Sequence, residues 1–200
     1  EGLIIKGIGG FYYVKTEEGL IEAKGRGIFK KDGTTLCVGD LVEVDIISPE
    51  DKKGVINRIM PRKNCFIRPP IANIDVFAVV FAAKAPAPNF PVIDRFLVNA
   101  ERHNVDPVIC INKMDLVSSK ELEELKAVYD GAYKVIQMST KTGEGVEDLL
   151  TLIKDKKTAL AGPSGVGKSS ILNMLHPEAN METGDVSRKT MRGKHTTRHV

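Results

Sequence analysis

Eight residues, Gly162-Pro163-Ser164-Gly165-Val166-Gly167-Lys168-Ser169, constrain the fold of this chain more than any other feature. They satisfy G-x-x-x-x-G-K-S and sit between residues 158–161 (TALA), which read as a strand, and residues 170–175, which read as a helix. Glycines let successive backbone N–H groups curl around an anion, and a helix N-terminus favours its negative charge. Such a loop needs a strand on one side and a helix on the other, which calls for a sheet layered with helices. The pattern assigns Gly162 through Ser169, with Ser170 behind them, to nucleotide phosphates. Lys168 is aimed at the β- and γ-phosphates and the Ser169 hydroxyl at Mg²⁺.

The rest of the second half supplies that sheet. Residues 74–83 (IDVFAVVFAA) form a continuous apolar run, as in a strand covered on both faces. Strands are also expected over 107–111 and 135–138, with helices over 91–103, 118–129 and 146–153. Alternation of this kind predicts a mainly parallel α/β sheet. Asn112, Lys113, Met114 and Asp115 (N-K-M-D) follow the strand PVICI, at the strand end where open α/β sheets bind ligands. An aspartate there can accept from both the ring N–H and the exocyclic amine of guanine, whereas adenine would present it with an acceptor. Ser139, Thr140 and Lys141 follow the strand VIQM, where S-A-K loops contact the guanine carbonyl in GTPases; Thr140 replaces the usual alanine.

Residues 1–68 follow a different rule. Residues 3–8, 11–15, 20–24, 41–47 and 54–60 are short β-rich runs separated by glycine turns, which suggests a small closed barrel, OB-like or SH3-like. Phe11, Tyr12 and Tyr13 are stacking candidates beside Lys6, Lys15, Lys24 and Arg26, with at least one of the three expected in the core. Pro61 through Pro70 reads as a linker, because adjacent prolines cannot sit inside a ladder. Domains are therefore expected over 1–68 and 69–200. Asp51-Lys52-Lys53-Gly54 fits D-x-x-G but reads as a hairpin turn.

Charge is unevenly spread behind a formal net of +3. The barrel segment carries 12 Lys/Arg against 10 Asp/Glu, residues 69–157 carry 11 against 13, and residues 158–200 carry 6 against 3. Residues 186–200 contain five basic residues, two histidines and no acid, a run suited to phosphates or to solvent. No apolar run approaches the roughly 18 residues of a membrane span, so no membrane contact is expected. Cys37, Cys65 and Cys110 lack C-x-x-C spacing, which argues for reduced thiols and against a zinc site. The first residue is Glu1, as expected of a piece of a longer chain.

Motif order is the last clue. Ordinary GTPases place the phosphate loop first and N-K-x-D late; here N-K-M-D and S-T-K precede it, and Gly193-Lys194-His195-Thr196-Thr197 comes after. A switch threonine belongs in that last segment, Thr196 or Thr197, as a Mg²⁺ ligand, with Thr197 also expected to be catalytic beside Lys168 and His195 as a candidate to position water. Together with R-K-N…R-P-P-I-A-N-I-D and the leading barrel, these motifs resemble the RsgA family of circularly permuted, ribosome-dependent GTPases over essentially the whole chain. The resemblance implies an OB barrel that docks on rRNA, a permuted P-loop GTPase domain, GTP/GDP and Mg²⁺ as ligands, and a cytoplasmic monomer acting in late maturation of the small ribosomal subunit. The family's D-T-P-G segment and zinc-binding C-terminal domain are expected beyond Val200, leaving the GTPase domain incomplete and no zinc ligand here. Two other readings stay open: an ATP-dependent P-loop enzyme, and an RNA-binding module with a vestigial nucleotide site.

Overall fold

Glycine turns cut the first part of the chain into five strands, and the computed structural model, which describes residues 1–67 and 69–175, closes them into a barrel. Strands β1 (Gly2–Ile8), β2 (Phe11–Thr16), β3 (Gly19–Gly25), β4 (Leu41–Ser48) and β5 (Lys53–Ile59) pair in the order β1-β2-β3-β5-β4 and back to β1. Every pairing is antiparallel except β3 with β5. This is the OB order, which settles the choice between barrels. Period-two alternation sends Ile4, Val14, Ala23, Val42 and Ile56 inward to one core with Leu36. A short helix α1 (Gly27–Lys31) follows β3 and packs Phe29 against that core. Asp51 lies in the β4–β5 turn, its carboxylate accepting from Ser48 Oγ at 3.1 Å, so its D-x-x-G is a turn.

The proline segment is more ordered than a linker. β6 (Cys65–Phe66) and β7 (Ile71–Ala72) form an antiparallel ribbon, with Pro69 and Pro70 in its connecting loop, outside the ladder. Asn64 is buried and brackets Ile74, its Nδ2 donating to the Ile74 carbonyl at 2.8 Å and its Oδ1 accepting from the Ile74 N–H at 2.9 Å. The first compact unit consequently runs from Glu1 to Ile74.

The second unit begins at Asp75. Four parallel strands, β8 (Val76–Ala82), β9 (Pro107–Asn112), β10 (Lys134–Gln137) and β11 (Thr158–Ala161), lie in the order β10-β9-β8-β11. All seven residues of β8 are buried, as a central parallel strand requires. The helices are α2 (Phe90–Glu101), α3 (Ser119–Ala127), α4 (Val146–Ile153) and α5 (Lys168–Leu175). Asn89 caps α2 through the Val92 N–H, and Ser118 with Glu121 forms a capping box on α3. Val80, Cys110, Met138, Leu149, Val166 and Ile171 belong to one core beneath the strand ends. No described helix is long and apolar enough to cross a membrane.

Candidate functional site

Each motif occupies the loop after the C-terminal end of a neighbouring or near-neighbouring strand. N-K-M-D leaves β9, S-T-K follows β10, and the glycine loop joins β11 to α5. The parallel sheet thus brings to one edge residues far apart in sequence.

The glycine loop is shaped by close approach. Gly162 has φ +145 and Gly167 has φ +101; a Cβ on the first would strike the Val80 carbonyl and on the second the Asn112 amide. Only glycine fits both positions. Lys168, the first residue of α5, donates to the carbonyls of Gly162 at 2.9 Å and Pro163 at 2.6 Å. Burial lowers the pKa of its ammonium, so the loop carbonyls hold the cation in a desolvated place where an anion would be strongly favoured. Ser169 and Ser170 follow in the first turn of the helix.

Asn112 has no solvent exposure and knits the three loops together. Its Nδ2 donates to the Val166 carbonyl at 2.8 Å and to Thr140 Oγ1 at 3.3 Å, while its Oδ1 accepts from the Thr140 N–H at 3.0 Å. Lys113, in the left-handed region at φ 63, donates through Nζ to the Gly165 carbonyl at 2.7 Å and to the Ala85 carbonyl. Burial lowers its pKa against the opposing pull of Asp115. Met114 donates its N–H to the Met138 carbonyl at 3.2 Å.

Asp115 is fixed from two sides. Ser139 Oγ donates to Asp115 Oδ1 at 2.7 Å, and Lys141 Nζ lies 3.8 Å from Oδ2. Ser139 Oγ in turn accepts from the N–H groups of Lys141 (3.3 Å) and Thr142 (3.2 Å), which shapes the loop after β10. A carboxylate held this way presents two acceptors at a defined angle, the geometry that reads paired donors on a purine edge.

The structure therefore gathers Asn112, Lys113, Met114, Asp115, Ser139, Thr140, Lys141 and the glycine loop. It assigns Asn112 and Lys113 a bracing part that the pattern N-K-x-D does not disclose, and it adds Ala85, for which the sequence carries no signal. His195, Thr196 and Thr197 lie outside the described residues, as does the rest of the basic run. Among the described residues no cluster of three or more His, Cys, Asp or Glu could hold a metal ion.

The barrel carries a second candidate surface. Tyr12 turns inward onto the core, and burial raises its pKa. Phe11 and Tyr13 point the other way, with Lys24 Nζ 4.5 Å from the Phe11 ring centroid and Lys6 Nζ 5.6 Å from that of Tyr13.

Comparison with known proteins places these features in context. The family model described as RsgA GTPase matches residues 59–200, and that of the RsgA N-terminal domain matches residues 1–56. The chain is 47% identical to the small ribosomal subunit biogenesis GTPase RsgA of Alkaliphilus metalliredigens over 201 residues, covering 100% of this chain and 69% of that protein. It is 46% identical to the protein of the same name from Caldanaerobacter subterraneus, covering 100% and 68%. Among solved structures it is similar to YjeQ from Thermotoga maritima (TM-score 0.76, 36% identity, 96% of this chain, 68% of that one). It is also similar to YloQ, described as a circularly permuted GTPase (TM-score 0.67, 39% identity, 91% and 66%).

Proposed function

The chain belongs to the RsgA family of GTPases, and on that premise we propose that it uses Mg²⁺·GTP to switch its grip on the small ribosomal subunit during that subunit's late maturation. Family membership makes it a GTP-hydrolysing enzyme that binds guanine nucleotide. One observation carries the assignment of the site: the buried Asn112 amide ties the glycine loop to the S-T-K loop beside an aspartate whose carboxylate is held by Ser139.

In this reading Asp115 accepts from the guanine ring N–H and amine, and the backbone of Ser139, Thr140 and Lys141 meets the guanine carbonyl. The backbone N–H groups of Gly162 through Ser170, all but Pro163, which has none, cradle the phosphates. Lys168 leaves its loop carbonyls for the β- and γ-phosphates, where its charge offsets that developing in the transition state. The hydroxyl of Ser169 is a hard oxygen donor in the first turn of α5 and suits Mg²⁺, which takes most of its ligands from phosphates and water and needs few from protein. The ion, when bound, neutralises phosphate charge. Thr196 or Thr197 closes the switch.

The unit that runs from Glu1 to Ile74 holds the RNA-docking barrel, and the unit that begins at Asp75 is the permuted GTPase domain. Phe11 and Tyr13, each beside a lysine, offer rings for stacking and cations for phosphates. A ribosomal partner makes the chain cytoplasmic, and we take it to act as a monomer.

Titration with fluorescent GTP and ATP analogues tests the base assignment. GTP should bind at least about 100-fold more tightly, and Asp115→Asn should erase most of that margin. Equal affinity for both nucleotides in the parent would overturn it. For the partner, co-sedimentation with purified small subunits should fall steeply with salt and differ between GTP and GDP; a flat salt response would count against the basic barrel face.

A further inference from the structure

Two cysteines of the first unit, 28 residues apart in sequence, bring their sulfurs within 3.6 Å. Cys37 lies between α1 and β4, is 3% exposed, and its Sγ donates to the Thr35 carbonyl at 3.6 Å. Cys65 opens β6, is only partly buried, and has its Sγ 3.9 Å from the Phe66 carbonyl.

The backbone around them is pinned on both sides of the pair. Arg62 makes a two-pronged bond to Asp40, Nε to Oδ1 and Nη2 to Oδ2, both 2.7 Å, and Nη2 also donates to the Thr35 carbonyl at 2.7 Å. Asp40 Oδ2 accepts from the Cys37 N–H at 2.7 Å. On the other side Ala72, the register partner of Cys65, donates its N–H to the Val38 carbonyl at 2.8 Å, and Asn73 Nδ2 donates to the Gly39 carbonyl at 2.9 Å. The segments that carry the two thiols are therefore held in register by bonds that do not involve sulfur. A disulfide needs an S–S distance of about 2.05 Å, which asks the two sulfurs to close in from 3.6 Å.

We propose that Cys37 and Cys65 form a peroxide-driven, reversible disulfide that staples the ribbon of β6 and β7 to the barrel. This modification is independent of nucleotide. The more exposed Cys65 attacks one oxygen of hydrogen peroxide as thiolate; an S–O bond forms, the O–O bond breaks, and hydroxide leaves and takes up a proton as water. Cys37 then attacks the sulfenyl sulfur of Cys65. An S–S bond forms, the S–O bond breaks, and the departing hydroxide leaves as water with the Cys37 proton. Two thiols lose two electrons and one peroxide becomes two waters. Burial and the hydrogen bond to Cys65 push the Cys37 thiol up to about 12, so it stays protonated at neutral pH and the first attack falls to Cys65.

Treatment of the folded chain with hydrogen peroxide, alkylation of remaining thiols and peptide mass spectrometry decide the matter. The expected product is a single cross-linked peptide pair containing Cys37 and Cys65, lighter by two hydrogens and reversed by dithiothreitol, with Cys110 alkylated. The midpoint of thermal unfolding should rise by several degrees after oxidation. Alkylation of both Cys37 and Cys65 after peroxide would overturn the proposal, as would separate oxidation of each sulfur or a cross-link to Cys110 or to another copy. Cys110→Ser should leave the cross-link unchanged, which checks the pairing without touching either sulfur.

Discussion

Replacing Asn112 by alanine removes three hydrogen bonds from a fully buried position, and their magnitudes can be worked separately. The bond to the Val166 carbonyl is short at 2.8 Å and its acceptor belongs to a residue only 1% exposed, so the orphaned carbonyl costs about 1–3 kcal/mol. The Thr140 N–H, bonded at 3.0 Å, belongs to a half-buried residue and regains water, leaving a loss of about 0.5–1.5 kcal/mol. The 3.3 Å contact to Thr140 Oγ1 adds little. The total is about 2–4 kcal/mol, and it falls on nucleotide affinity because base and phosphate loops must be in register to share one ligand. Fluorescent GDP should therefore bind Asn112→Ala roughly 30- to 1,000-fold more weakly by equilibrium titration. Thr140→Val, which keeps its N–H and loses only the long contact, should cost no more than about tenfold. Binding by Asn112→Ala within about threefold of the parent would refute the idea that this amide holds the loops together.

Other perturbations should act in separate parts of the molecule. Arg62→Ala leaves the unexposed Asp40 carboxylate without its cation and should cost the first unit about 3 kcal/mol in urea unfolding while changing GDP affinity less than about twofold; equal stability of variant and parent would contradict the buried pairing. Gly167→Ala puts a methyl group against the Asn112 amide at a positive φ and should weaken GDP binding by more than about 100-fold, with the barrel's own unfolding unchanged; binding within tenfold of the parent would show that the loop can open without penalty. Lys168 gives a pH signature. Its folded-state pKa is lowered by burial, so between that value and its unfolded value near 10.5 the unfolded chain binds more protons and stability rises with pH. The parent should gain stability on Lys168→Met across that alkaline window, and parallel pH curves would refute the burial of the cation.

Much of this architecture was legible because its signals are local. Glycine turns at Gly9-Gly10 and Gly19 mark barrel strands, and the unbroken apolar run through Phe77 to Phe81 marks the central strand. Helix α1 was missed because five residues span less than two turns and show no period. The ribbon of β6 and β7 was hidden by its prolines, which the structure sets in the connecting loop. Within the site, residue types and motif order were readable, but the bond from Asn112 to Val166 spans 54 positions. Its partner is a backbone carbonyl, which every residue has, so no side-chain pattern can encode it. The same holds for Lys113 with Gly165 and Ala85.

Strand order also has a consequence for the time course of synthesis. The chain leaves the ribosome N-terminus first, and β8, β9 and β10 with the loops after β9 and β10 emerge before β11. Until Thr158–Ala161 arrives, one edge of the fully buried β8 has no partner, and the Asn112 amide has no Val166 carbonyl to hold. The loops after β9 and β10 are thus translated first, and the four-residue β11 then covers that edge of β8 and carries the glycine loop, with Val166, up to Asn112. A nascent chain stalled before residue 158 should expose that bare strand edge, and nucleotide capture becomes a marker that β11 has paired with β8.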